Sequence, residues 1–403
     1  MQWTLVTGVG RMHLVDTTLF YSPTSGGVRR YLNAKHEWYR ARAQERHSLL
    51  VPGSHTALQP GDVSTIAGLT VPGTFNYRLP LATRRWDSLL DSLQPDIIEA
   101  GDAFHPAWSA LKIAARRRIP AVAFFHSHLP RLVGIRCGAT VGRMAGRYLR
   151  WLYERFDMVF APSRVMCDYL RSLGLMRVTL QPLGVDVATF HPQRRHDRLR
   201  RQLGLREGVR LLAYAGRFSA EKNIGALHDA FARLGKGYHL LMVGGGETRR
   251  LAENISVVPY HRDSGELAGV LASADALVHA GTAETFGLVL LEAMACGRPV
   301  VGVRAAAVAE LVNDQVGVTA ARADGALLAQ AVRELYDRDL DVLGQAARKH
   351  VESQYSWDHA LRQQLATYLA LSEKKRIVPE GWATASRAPS GDQQIMPAGP
   401  SSN

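Results

Sequence analysis

Short, wholly apolar runs recur along this chain, each followed by a helical pattern, and they fall into two successive blocks. The first block begins with HLVDTTLF at residue 13, the loop YSPTSGG and a helix from Val28 to about Ala43; HSLLVPG, DIIEAGD, PAVAFFHS and MVFAPS, the last with the helix CDYLRSLG, follow. The second block opens at Gly208 with RLLAYAG and continues through HLLMVGG, ISVVPY, DALVHA, PVVGV and VGVTA. Strands that are apolar on every residue need cover on both faces, and alternation with helices supplies it. The expected fold is therefore α/β, with two parallel-sheet, Rossmann-like domains. Residues 178–197 carry prolines and no steady period, which reads as a linker. The expected divisions are 1–187, 188–355, a closing helix 356–376, and a disordered Pro-, Ser-, Gly- and Ala-rich tail 377–403. Residues 1–11 fit no element, and their TGVG is too short for a dinucleotide fingerprint.

A chain of 403 residues can bury two cores. No stretch approaches the roughly 20 apolar residues of a membrane span. The N-terminus lacks the basic and apolar regions of a secretory signal, so a cytoplasmic location is expected. Cys137, Cys167 and Cys296 are odd in number and far apart, which argues against a disulfide framework or a zinc site. No metal is expected.

The net charge of +13 is uneven: residues 1–188 hold 23 Lys and Arg against 13 Asp and Glu, and the remainder 26 against 23. Within the basic half, residues 141–156 place Val141, Ala145, Tyr148, Leu149, Leu152 and Phe156 on one helical stripe and Arg143, Arg147 and Arg150 on the other. Such a helix either packs its apolar stripe on its own sheet or lies on anionic lipid. For the helix alone packing is favoured; for the basic half as a whole, peripheral contact with an anionic membrane is expected, and no nucleic-acid partner.

Glu284 and Glu292 stand eight residues apart, one on a strand-to-helix turn and the other inside the helix that runs to Gly297. At about 1.5 Å per residue Glu292 lies about two turns below Glu284. The free N–H groups of Thr285, Phe286, Gly287 and Leu288 lie between them, and a helix N-terminus attracts anions. Alone, either Glu is an ordinary helix-start or surface carboxylate. Together, in an otherwise apolar helix, they form a grip for hydroxyl, phosphate and hydroxyl.

A second cluster, LLAYAGRFSAEKNI, places Gly216 and Arg217 at a strand's C-terminal edge and Lys222 beside the next helix. Two cations at the crevice of an open parallel sheet suit a diphosphate, the Arg as a fork and the Lys as a point charge. The competing reading is a surface pair of Arg217 with Glu221, which contributes little. In the first half, Gly26 and Gly27 of SGGVRRYL either let the backbone approach a phosphate or make a tight turn before a helix. His126 ends the AVAFF strand and faces the same crevice; His128, Asp16, Glu99 and Asp102 are weaker candidates at strand ends.

GR followed by EK, the Gly-rich strand end MVGGGE and the paired glutamates together resemble the nucleotide-sugar domain of glycosyltransferase family 4, over residues of about 13 to 372. The resemblance implies a GT-B fold, with an acceptor-binding first domain and a donor-binding second domain facing a central cleft. It implies a retaining transfer of a glucose- or mannose-type hexose from a UDP- or GDP-sugar to a hydroxyl of a lipid-linked or glycan acceptor, without a metal. Glu284, His126, Arg217 and Lys222 become the catalytic set. Gly26, Gly27, Gly216, Arg217, Lys222, Glu284, Thr285 to Leu288 and Glu292 become the donor site, with Glu292 on the ribose hydroxyls and a phosphate oxygen taking the acceptor proton. Leu183, where the family often has Asn, and VRAAAVAEL, which lacks a Gly-Gly and Pro before Glu310, depart from the pattern. The alternatives are a non-catalytic nucleotide-sugar-binding homologue or another GT-B activity, such as a sugar-nucleotide epimerase or a phosphorylase.

Overall fold

The computed structural model of the chain describes residues 12–22, 26–42, 45–72, 76–80, 82–261 and 263–377. The 1–11 stretch, Ser25 and the tail from residue 378 lie outside them. Two seven-stranded sheets form the centres of two lobes. The first runs in the order Val63–Ala67, Arg46–Gly53, His13–Thr17, Ile97–Ala100, Ala121–Phe124, Met158–Ala161, Val178–Leu180, all parallel. The second runs Arg249–Ala252, Ile255–Pro259, Tyr238–Gly245, Arg210–Ala215, Ala276–His279, Val300–Val303, Gly317–Ala320, parallel except for its first strand.

The apolar runs became the central strands because both their faces are covered: Ile97–Ala100, Ala121–Phe124, Ala276–His279 and Val300–Val303 are buried at every residue. Three strands of these sheets escaped the sequence pattern. Val63–Ala67 is an edge strand that alternates in burial, and Arg249–Ala252 is exposed throughout. The linker begins later than expected, because Val178–Leu180 pairs with Met158–Ala161 as the last strand of the first sheet.

In each sheet the strand order reverses between the lobe's first strand and the one that returns beside it, His13–Thr17 against Ile97–Ala100 and Arg210–Ala215 against Ala276–His279. Loops leaving the C-terminal ends of such a pair diverge to opposite faces and open a crevice. One apolar cluster runs through both lobes, taking Leu14, Tyr31 and Phe124 from the first and Phe286, Leu290 and Leu291 from the second. Leu183 is buried within it, so the departure at PLGVD substitutes an apolar packing residue at the junction.

The helix Trp357–Ile377 crosses back onto the first lobe. Gly184 makes the crossing close, since a Cβ there would sit 2.6 Å from the Trp357 backbone, and Val185 bridges to Ser356. Trp38 Nε1 donates to Asp358 at 2.9 Å, and Lys375 reaches Asp157 at 2.8 Å.

The helix Ala139–Tyr153 packs on Leu129–Cys137, where a Cβ on Gly142 would meet Gly134 Cα at 3.0 Å. That contact turns the buried face to Gly142, Gly146, Leu149, Leu152 and Tyr153. Val141, expected in the buried stripe, is exposed, as are Met144 and Trp151.

Candidate active site

Loops from both switch points line one cavity of about 640 Å³ between the lobes. It brings together Gly26, Gly27 and His126 of the first lobe with Gly216, Arg217, Lys222, Glu284, Thr285, Phe286, Gly287, Leu288 and Glu292 of the second. These residues are widely separated in the chain; the two sheets place them around one space.

Lys222 closes the short turn Ala220–Lys222, and Asn223 follows in the left-handed region at φ 52°, where Asn is tolerated better than most residues. The Asn223 amide donates to the Ala280 carbonyl at 2.8 Å and so ties the loop of Lys222 to the loop of Glu284. Lys222 forms an ion pair with Glu284, and His279 Nε2 lies 2.9 Å from the same carboxylate oxygen. Burial alone would raise the Glu284 pKa, but the Lys222 charge and the His279 contact hold it below the usual carboxylate range. Glu221, the partner in the surface-pair reading, also lines the cavity and accepts from the Ser219 hydroxyl at 2.6 Å.

The helix Leu288–Ala295 starts after Gly287, whose φ of 94° suits glycine, and no side chain caps this end. Leu290 N donates to the Gly287 carbonyl at 2.9 Å, and the N–H groups of Leu288 and Val289 are left for an anion in the cavity. One turn on, Glu292 is 2% exposed; one carboxylate oxygen is paired with Arg30 of the first lobe, and the other, buried, has no partner among the described residues.

His126 stacks on Phe124 at 4.1 Å and packs against Tyr31 at 4.9 Å. Burial, helped by the Lys35 charge, pushes its pKa down to about 3, so the imidazole is neutral near pH 7. Its Nε2 is buried with no partner among the described residues. Thr285 Oγ1 donates to the His126 carbonyl at 2.8 Å and joins the lobes at the centre of the site.

Both glycines line the cavity, and neither is required by a left-handed backbone or by a close contact. Gly26, at φ −83°, is not in the left-handed region, and a Cβ there would meet nothing within 4 Å. Gly27 is helical, and a Cβ there would meet only Leu288 Cδ1 at an ordinary 3.5 Å. The backbone does not require glycine at Gly27.

Two weaker candidates are corrected. Asp16 and Glu99 do not reach the cavity; they are register partners on adjacent strands whose side chains turn under the helix Gly27–Arg40. There Lys35, fully buried, lies 2.9 Å from Asp16 and 3.1 Å from Glu99 and also donates to Tyr31 and Tyr368. His128 lines the cavity and also caps the helix Leu129–Cys137, accepting from Arg131 N at 3.2 Å. Asp102 does line the cavity, but its carboxylate is engaged by Thr18 Oγ1, Leu19 N and Phe104 N at 2.8, 2.6 and 2.9 Å.

The departing segment VRAAAVAEL contributes no lining residue among those described. Ala307 N instead donates to the Glu284 carbonyl at 3.2 Å, and Glu310 accepts from Arg164 N and Val165 N at 2.9 and 2.5 Å. It braces Glu284 and caps a helix of the opposite lobe.

Sequence reading gave no role to Arg30, Asn223 or His279. Arg30 lay inside the quoted SGGVRRYL, and a cation one turn into a helix facing the crevice was the available signal.

Family models match in both lobes: Glycosyltransferase Family 4 over residues 25–189 and Glycosyl transferases group 1 over 209–338. A GDP-mannose-dependent alpha-(1-6)-phosphatidylinositol dimannoside mannosyltransferase of Mycobacterium tuberculosis is 31% identical over 384 residues, spanning 91% of this chain and 98% of that protein. The chain belongs to glycosyltransferase family 4. Sucrose-phosphate synthase from Thermosynechococcus elongatus superposes on this glycosyltransferase with a TM-score of 0.77 at 20% identity, covering 90% of this chain and 100% of that one. Anabaena HepE in complex with UDP and glucose gives 0.70 at 19%, with 89% and 100% covered. At these identities the likeness is one of fold, and the fold of the transferase is GT-B.

Proposed function

We propose that this glycosyltransferase moves a hexosyl unit from a nucleoside-diphosphate sugar to a hydroxyl of a lipid-linked or glycan acceptor, with retention of anomeric configuration. The observation that carries the reading is the single cavity in which Arg217, Lys222 and an uncapped helix start face His126 across the lobes. GDP-mannose is the first donor to test, because the mycobacterial relative matched along 98% of its length is GDP-mannose-dependent. UDP-glucose is the second. A phosphatidylinositol mannoside is the first acceptor to test, on the same ground.

In this reading Arg217, Lys222 and the Thr285 to Leu288 amides hold fixed positive potential where charge develops on the departing diphosphate. The acceptor oxygen attacks the anomeric carbon from the leaving-group face as the bond to the diphosphate breaks, and a phosphate oxygen takes the acceptor proton. Glu284 holds hydroxyls of the transferred sugar and Glu292 those of the ribose. His126, neutral and with an unpartnered Nε2, accepts from or donates to a sugar hydroxyl. No step assigned here requires a metal.

The acceptor is brought to the cleft, in this reading, at the cytoplasmic face of an anionic membrane. No helix among the described residues is long and apolar enough to cross one. The hairpin Leu129–Cys137 and Ala139–Tyr153 exposes Ile135, Val141, Met144 and Trp151 beside exposed Arg136, Arg143 and Arg147, a combination suited to shallow insertion among anionic headgroups.

The test is to incubate the protein with GDP-mannose or UDP-glucose and a glycolipid acceptor, follow nucleoside diphosphate release, and read the anomeric configuration of the product by NMR. Acceptor-dependent release with an α-linked product from an α-linked donor supports the proposal. A β-linked product would refute retention.

A further inference from the structure

Arg30 and Glu292 form an ion pair across the cleft, and the second Glu292 oxygen is buried without a partner among the described residues. Arg30 comes from the second turn of the helix Gly27–Arg40, whose N-terminus abuts Leu288. Its guanidinium pairs with one Glu292 oxygen; Arg30, Tyr260 and Glu292 all line the cavity. The other Glu292 oxygen is left buried without a partner among the described residues. A buried acceptor in that condition is costly unless something fills its place.

We infer that Arg30 is a positioning residue for the donor: by holding one oxygen of Glu292 from the opposite lobe, it fixes the carboxylate so that the free oxygen accepts a ribose hydroxyl, and it makes lobe closure a condition of nucleoside recognition. The inference rests on the proposed reading of Glu292 as the ribose ligand. Four physical points support it. A carboxylate gripped by a planar guanidinium has one orientation rather than several, so little freedom is lost when a hydroxyl binds the other side. The cation also favours the charged carboxylate in a place where burial pushes its pKa up. A hydroxyl donating to a charged acceptor makes a stronger bond than one donating to a neutral carboxyl. Finally, Arg30 and Glu292 belong to different lobes, so this acceptor is complete only when the lobes are together.

The test measures binding of GDP and UDP, and of their 2′,3′-dideoxy forms, by titration calorimetry to the wild type, Arg30→Met and Arg30→Lys, with melting curves confirming that each variant is folded. In the wild type, loss of the ribose hydroxyls is expected to weaken binding between about tenfold and about a hundredfold. In Arg30→Met the parent nucleotide binds more weakly and the dideoxy penalty shrinks to within about threefold; in Arg30→Lys most of the penalty returns. A penalty of the same size in wild type and Arg30→Met overturns the inference and leaves the donor reading standing. Wild-type binding with no dideoxy penalty overturns the role of Glu292 and the inference with it. Failure of the wild type to bind either nucleotide overturns the donor reading itself.

Discussion

Lys222 and Glu284, 62 residues apart, form an ion pair on the second lobe's side of the cleft, with His279 Nε2 2.9 Å from the shared oxygen. The two loops that bear them are stitched together by Asn223 to the Ala280 carbonyl and by Thr282 N to the Glu221 carbonyl. Lys222 thus both faces the cavity and keeps a buried carboxylate ionised, and its removal has two separable consequences.

Lys222→Ala is expected to lower transfer by about 10² to 10³, the usual cost of losing one preorganised charge in such a site. It also moves the acid limb of the activity profile. Glu284 is held below the usual carboxylate range, so in the wild type it remains charged as pH falls through the ordinary Glu range. Without Lys222, burial dominates and the Glu284 pKa rises, so the acid limb of kcat/KM shifts to higher pH. An unshifted limb in a folded Lys222→Ala protein would contradict the assignment.

Gly27 separates a role in ligand approach from a role in chain geometry. An added methyl meets only Leu288 Cδ1 at 3.5 Å and the backbone there is helical, so Gly27→Ala should leave the melting temperature unchanged or slightly raised. If donor phosphates approach this backbone, donor KM rises about tenfold, equivalent to about 1.4 kcal/mol. Unchanged KM would show that the glycine serves something other than donor approach.

Lys35 is the stability counterpart. It is fully buried between the register-paired Asp16 and Glu99, and Tyr368 and Gln364 of the closing helix complete the cluster. Lys35→Met leaves two buried carboxylates without their cation and should cost about 3–5 kcal/mol in urea unfolding. A loss below about 1 kcal/mol would show that the cluster is not held by this charge.

The exposed hairpin offers a test apart from catalysis. The wild type should float with vesicles containing anionic lipid at low salt, and Met144→Asp with Ile135→Asp should abolish flotation without lowering the melting temperature, since both side chains are more exposed than buried. Flotation that persists in the double variant would place membrane contact elsewhere.

Strand-helix alternation and the segments that line the cleft were legible in the sequence because each depends on local chemistry: unbroken apolar runs for central strands, a glycine where the helix of Glu292 starts at φ 94°, cations beside strand ends. The edge strands Val63–Ala67 and Arg249–Ala252 were not, because an edge needs cover on fewer sides and leaves no dense apolar run. Asp16 and Glu99 looked like site residues because they end strands, but the side to which a strand-end carboxylate turns depends on which helix covers it. Their cation, Lys35, is brought there by a different element, and a buried lysine has the same letter as a surface one. Arg30 illustrates the same limit across lobes: its partner is 262 residues away, and the pairing exists only in the assembled cleft.

The central claim is that the cleft grips a nucleoside diphosphate through Arg217, Lys222 and the Thr285 to Leu288 amides. Titration calorimetry of GDP-mannose and UDP-glucose into wild type, Arg217→Ala and Lys222→Ala tests it most directly. The account predicts saturable one-to-one binding of at least one nucleotide sugar by the wild type, weakened tenfold or more, at least about 1.4 kcal/mol, in each folded variant. Equal binding by all three proteins, or binding of neither nucleotide sugar by the wild type, would contradict it.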